Sequence, residues 1–232
     1  MASDIALFPL TSALVPGLLL PLHIFEPRYR LMVQELLQRP QEDREFGMVS
    51  VKSGMGQPSG SDGPSLSPDA LFTLGVSAML REATELDDGR FDIVCVGARR
   101  FTLLSVDTSS PLWRAQVEFL PDPILNAEDP AIAPVVSGAL SALERYRTSL
   151  RGLLGEDHLA DEALPQDPTV LSYLITAALT VDPQTRTDLL AAVDGAERLH
   201  RAIRIMQIES MLIDEFRSVP GADSLTSHFH PN

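Results

Sequence analysis

Four prolines within nineteen residues, Pro9, Pro16, Pro21 and Pro27, cut up the opening stretch IALFPLTSALVPGLLLPLHIFEPRYRLMV. Each ring fixes φ and removes a backbone N–H, and one inside a helix costs about 3 kcal/mol. The Leu- and Val-rich run before Pro27 therefore reads as short strands joined by turns. After Glu26 the pattern changes. Pro27 suits a first helical position, and Tyr29, Met32, Val33, Leu36 and Leu37 recur on one helical face, which predicts a helix over about residues 27–38.

Strand signals continue to residue 120. FGMVSV at 46–51 reads as a strand, and the Gly/Ser/Pro-rich stretch 52–70 as a loop. LFTLGVSAMLREATEL and RFDIVCVGARRFTLLSV flank Asp88–Gly89, a strong hairpin signature, and WRAQVEFL at 113–120 alternates. Beyond that the period becomes helical. Val135, Val136, Leu140, Leu143, Tyr146, Leu150 and Leu153 follow helical spacing. Asp167–Pro168 and Asp182–Pro183 each pair a capping carboxylate with a first-turn proline. A last helix is expected over about 194–217, with Leu199, Ile203, Met206 and Ile213 along one side. The fold class is α+β: a β-rich part over 1–120, an all-helical bundle over 121–219, and a polar tail over 220–232.

Charge narrows the partners. The chain of 232 residues carries −14, with 32 acidic residues against 18 basic ones, and both halves are acidic. Such a surface repels nucleic acid and anionic membranes. No apolar run reaches the roughly 18–20 residues of a membrane helix. The N-terminus MASDIALFPL has an acidic residue where a signal peptide carries positive charge, so a cytoplasmic location is expected. A single cysteine, Cys95, excludes an intrachain disulfide and a multi-cysteine zinc site.

Catalytic chemistry finds little support. His23, Glu26 and Tyr29 crowd one corner, but they straddle a strand-to-helix junction and read as architecture: Glu26 at a helix start, Tyr29 on an apolar face, Arg28 and Arg30 beside carboxylates. No two of the five histidines stand at i, i+4 spacing, and His228 and His230 in the tail lack a third ligand, so no metal is assigned. The single lysine, Lys52, lies in VKSG with no phosphate-binding loop around it. No G-x-S-x-G turn occurs, and Cys95 within DIVCVG reads as an inert buried thiol. No cofactor is implied. Arg198, Arg201 and Arg204 recur every third residue and read as a solvated face paired with Asp194 and Glu197. The alternative is a stripe that docks an acidic partner.

Several pieces together resemble the N-terminal, substrate-binding domain of the Lon protease family, and most closely its stand-alone bacterial forms. They are Phe8-Pro9-Leu10, Val15-Pro16-Gly17, Leu20-Pro21-Leu22 and Ile24-Phe25-Glu26-Pro27-Arg28-Tyr29, then Phe46-Gly47, Leu74-Gly75-Val76-Ser77-Ala78, Asp88-Gly89-Arg90 and Gly97-Ala98-Arg99-Arg100-Phe101. Asp188-Leu189-Leu190 and Glu197-Arg198-Leu199 continue the likeness into the helical part. The resemblance implies a PUA-like pseudo-barrel followed by a helical bundle. It also implies the recognition half of a machine whose ATPase and Ser-Lys protease parts have no motif here, so a peptidase label would be wrong chemistry for these residues.

The expected function is a non-catalytic module binding unfolded or flexible polypeptide, or a protein partner. Phe25, Tyr29, Met48, Met55 and Met79 are the candidate contacts, because methionine and aromatic side chains suit adaptable surfaces. Core packing is the competing role for each, favoured for Phe25 and Met79, while Met55 is expected to be exposed. A small hydrolase with a spatially assembled site is the alternative. An RNA-binding reading of the PUA-like fold is opposed by the charge.

Overall fold

The opening prolines occupy positions that tolerate them. A computed structural model describes residues 2–52, 66–154 and 164–216. Pro9 lies near the end of β1 (Ser3–Leu10), and Pro16 leads into a turn at Gly17, whose φ is 82°. Pro21 lies within β2 (Leu19–Ile24), an edge strand, where a missing N–H is tolerated. Pro27 is the first residue of α1 (Pro27–Leu37). Glu26 stands at the cap position, but its carboxylate accepts from Arg28 Nε at 2.9 Å and makes no capping bond to the backbone.

Four further strands follow: β3 (Glu45–Val51), β4 (Leu71–Glu85), β5 (Phe91–Asp107) and β6 (Arg114–Phe119). β1 runs parallel to β3 and antiparallel to β6, and β3–β4, β4–β5 and β5–β6 are antiparallel. The ring β1-β3-β4-β5-β6 therefore closes on itself, a five-stranded barrel. The 17 residues of β5 serve two neighbours in turn, with Phe91–Val96 pairing β2 and Phe101–Asp107 pairing β6. Gly97 stands between those segments, where a Cβ would lie 2.2 Å from the Val15 carbonyl oxygen. Only a residue without a side chain permits that crossing. Gly89, at φ 75°, closes the hairpin between β4 and β5.

Ile5, Leu7, Val49, Leu71, Phe101 and Val117 fill the barrel, each buried side chain worth about 1.5–3 kcal/mol. Phe101 is fully enclosed, and Arg100 beside it is buried with Nη2 donating to the Pro121 carbonyl at 2.8 Å. α1 buries Tyr29, Met32, Val33 and Leu36, and the Tyr29 ring lies 4.2 Å from Phe8.

The chain divides into two compact units, the first ending at Pro121 and the second beginning at Asp122. The second contains α2 (Ala133–Leu154), α3 (Pro168–Ala178), α4 (Pro183–Leu190) and α5 (Gly195–Phe216). Both Asp-Pro starts form as their chemistry dictates. Asp167 accepts from the N–H groups of Thr169 and Val170, and Asp182 accepts from that of Thr185. Leu143, Tyr146, Leu171, Ile175, Leu199 and Met206 make the helical core. The fold is α+β, barrel then bundle, as the resemblance implied. The stretch 53–65 with Met55, His158, and the tail with His228 and His230 lie outside the described residues.

Candidate functional site

Strand pairing and burial together define an exposed apolar surface in the barrel unit. Directly paired residues in a sheet project to the same side, while alternate residues project to opposite sides. Leu20, Cys95 and Leu80 form one cross-strand row, and all three are buried. The adjoining row, Leu19, Val96 and Met79, projects to the opposite side of the sheet, with Leu19 62% exposed and the other two partly so. Pro21 and Val94 pair beside them, and exposed Leu18 precedes the strand. Phe25 follows it, 38% exposed, with its ring 6.5 Å from that of His23. Among the described residues no strand pairs the outer edge of β2.

At the hairpin end this surface turns polar. His23 pairs with Asp92 in register, and its Nδ1 is 2.7 Å from the Asp92 carboxylate. Its Nε2 lies 3.0 Å from Arg90 Nη1. A guanidinium can only donate, so Nε2 is the acceptor in that contact. Both nitrogens are thus engaged, and Arg90 is itself held by Asp88 at 2.6 Å. At the opposite end the row continues from Met79 to its partner Glu45, which holds Arg99. The Arg99 guanidinium lies 3.6 Å over the Phe119 ring.

Glu45 also rims a groove of about 400 Å³. Its floor is apolar, with Ile5, Ala6, Met32 and Leu36, and Glu35, Glu42 and Asp43 stand around it with Arg39 and the ion pair Asp4–Arg114. A separate groove of about 880 Å³ lies in the helical unit, lined by α2 and α5 residues including Leu140, Glu144, Arg145 and Ile213.

The candidates named from sequence separate into different environments. Phe25 and Met79 lie at the exposed surface, although the sequence favours core packing for both. Tyr29 and Met48 do not belong to it. Tyr29 is buried between Phe8 and the Arg28 guanidinium, and burial pushes its phenol above the usual range. Met48 alternates along β3 with the barrel-lining Val49, so it projects to the other side of the strand, where it is fully buried. Leu18, Leu19, Pro21 and Val96 complete the surface, and of these only Pro21 carries a sequence signal, since a proline inside a strand run marks an edge.

The arginine stripe is not a surface stripe. At about 100° per residue, a three-residue step falls short of a full turn by about 60°, so side chains so spaced drift around a helix. Arg198 is fully buried, with Nη1 donating to Ser172 Oγ at 2.7 Å. Arg201 pairs with Glu197 and donates to the Asp188 carbonyl, and Arg204 is exposed. Asp194 caps the start of α5, accepting from the Glu197 N–H at 2.8 Å.

Nucleophilic chemistry gains nothing from the one thiol. Cys95 is buried, its Sγ donates to the Leu20 carbonyl at 3.3 Å, and burial pushes its pKa up to about 12. Among the described residues no three His, Cys, Asp or Glu side chains group to hold a metal, and no helix is long and apolar enough to cross a membrane.

A closed barrel with an open apolar sheet face, followed in sequence by a separate helical bundle, defines an α+β barrel-and-bundle protein. The substrate-binding domain of the ATP-dependent protease La (Lon) matches residues 4–207. The chain belongs to that family. Lon protease 1 of Thermus thermophilus is 30% identical over 142 residues, covering 60% of this chain and 17% of that protein. Protein cereblon of Xenopus tropicalis is 25% identical over 245 residues, covering 83% of this chain and 51% of that protein. The chain thus spans about a fifth to a half of the length of these relatives. Among solved structures, the Lon N-terminal domain protein of Xanthomonas campestris superposes with a TM-score of 0.59 at 19% identity, over 87% of this chain and 98% of that one. The N-terminal domain of Mycobacterium avium complex Lon protease gives 0.54 at 20% identity, over 88% and 98%.

Proposed function

We propose that this chain is a non-catalytic recognition module for unfolded or flexible polypeptide, acting in the cytoplasm, and that the exposed apolar row across β2, β5 and β4 is where polypeptide docks. The observation that carries this reading is the exposed row Leu19, Val96 and Met79, flanked by Leu18, Pro21 and Phe25, on a chain with a net charge of −14. Apolar side chains left in water beside an unpaired strand edge mark a surface that gains free energy when an extended segment covers it. Family membership supports polypeptide as the occupant. Phe25 and Met79 are the contacts retained from the sequence reading. Tyr29 and Met48 serve the core that holds the face in place.

Hydrolysis is the competing function and requires a nucleophile beside a base. The His23 nitrogens are held by Asp92 and Arg90, and His200 Nδ1 lies 3.0 Å from the Ala196 carbonyl, an arrangement that favours recognition over cleavage. Titration of fluorescently labelled, unfolded casein tests the point, with anisotropy reporting binding and gels reporting cleavage, with and without ATP. Saturable binding with intact casein is the expected result. Cleavage that persists through repurification would replace this function with an enzymatic one.

A further inference from the structure

Cross-strand pairing makes the apolar row and the anionic groove one continuous track. Leu19, Val96, Met79 and Glu45 are successive partners across β2, β5, β4 and β3, and Glu45 is also part of the groove rim. Beyond Glu45 stand Glu35, Glu42 and Asp43, and the groove floor of Ile5, Ala6, Met32 and Leu36 is apolar. Arg99 occupies Glu45 and Arg114 occupies Asp4, whereas Glu42 and Asp43 are exposed and make no ion pair among the described residues. An apolar floor beneath free carboxylates suits a long side chain with an aliphatic stem and a positive head.

From this we infer that the preferred occupant is an extended segment crossing the sheet from β2 to β3, with apolar side chains over Leu19, Val96 and Met79 and a lysine or arginine reaching Glu42 and Asp43 in the groove. The inference rests on the reading of the sheet face as a polypeptide-docking surface. Geometry sets the spacing. Four neighbouring strands span about 14 Å, and an extended chain advances about 3.3 Å per residue, so the residue over Glu45 falls about four residues from the one over Leu19, and a long cationic side chain placed there extends on toward Glu42 and Asp43. Because the chain as a whole is strongly acidic, its field also favours the approach of a cationic segment.

Two short labelled peptides test this. Both carry the same apolar residues, and one has lysine and the other glutamate about four residues from the first of them. Anisotropy titrations are made at low and high salt with the unaltered protein and with the exposed double variant Glu42→Gln/Asp43→Asn, whose fold is checked by circular dichroism. The lysine peptide is expected to bind about tenfold more tightly at low salt, an advantage that narrows as salt screens it and disappears in the double variant. Equal affinity for the two peptides in the unaltered protein would overturn the inference while leaving polypeptide recognition standing. So would a lysine advantage of undiminished size in the double variant. Binding of neither peptide would overturn the docking-surface reading and this inference together.

Discussion

The Arg198 guanidinium lies 3.9 Å over the Tyr173 ring, fully buried within the helical unit. Tyr173 in turn donates to Asp122 at 2.6 Å, and Arg198 approaches the same carboxylate at 3.9 Å. One cation thereby ties α5 to α3 and to the segment that begins the unit. Arg198→Ala removes a stacked, hydrogen-bonded charge and leaves a void, so it is expected to lower stability by about 3 kcal/mol. Arg198→Lys, which can neither stack as a plane nor donate as a fork, recovers only part of that. Urea unfolding monitored by helical circular dichroism measures both.

Glu209 supplies a pH dependence of the opposite kind from most carboxylates. It is buried on α5, and burial raises its pKa even though the Tyr146 hydroxyl donates to it. A carboxyl whose folded pKa is raised binds its proton more tightly when folded. Its ionisation therefore costs stability, starting near the ordinary carboxylate pKa and growing as pH rises through the folded value. Glu209→Gln removes that cost. The urea midpoint of this variant is expected to match the unaltered protein near about pH 4, the ordinary carboxylate value, to exceed it increasingly above that, and to hold a constant advantage once the pH passes the folded value.

Gly97→Ala tests the crossing of β5 over the segment before β2. The added methyl would meet a backbone oxygen, which cannot swing aside as a side chain end can. A loss of about 2 kcal/mol is expected from the resulting displacement. Because the strain falls next to β2, polypeptide binding should weaken in the same variant.

Asp167→Ala removes the acceptor for two N–H groups at the start of α3, and about 1 kcal/mol of stability is expected to go with it. Asp167→Asn should keep most of that stability, because a side-chain amide oxygen accepts the same bonds. Thermal melts of the two variants separate capping from charge.

Much of this fold is written in local chemistry. Pro27, the Asp88–Gly89 turn and the Asp-Pro helix starts act within a few residues, so their sequence positions coincide with the ends of elements. The docking face is a different matter. In LLLPL, Leu18 and Leu19 are exposed while Leu20 is buried, and that depends on which strand pairs with β2 and on its other edge staying unpaired. Composition is blind to such non-local pairing. Tyr29 and Met48 carry the same adaptable chemistry as Phe25 and Met79, yet are buried because other parts of the chain, distant in sequence, cover them. Arg198 misled for a related reason, since a charge is taken inside only when a ring, a hydroxyl and a carboxylate from elsewhere in the chain converge on it.

The central claim is that polypeptide docks on the exposed apolar row across β2, β5 and β4. Leu19→Glu places a charge at the edge-strand end of that row, at a residue 62% exposed, where folding is little affected. Binding of labelled, unfolded casein to this variant, read by anisotropy beside an unchanged melting temperature, is the most direct test. The account predicts affinity reduced by about tenfold or more, as expected when a charge enters an apolar contact. Undiminished casein binding by the folded Leu19→Glu protein would contradict it and move the docking surface elsewhere.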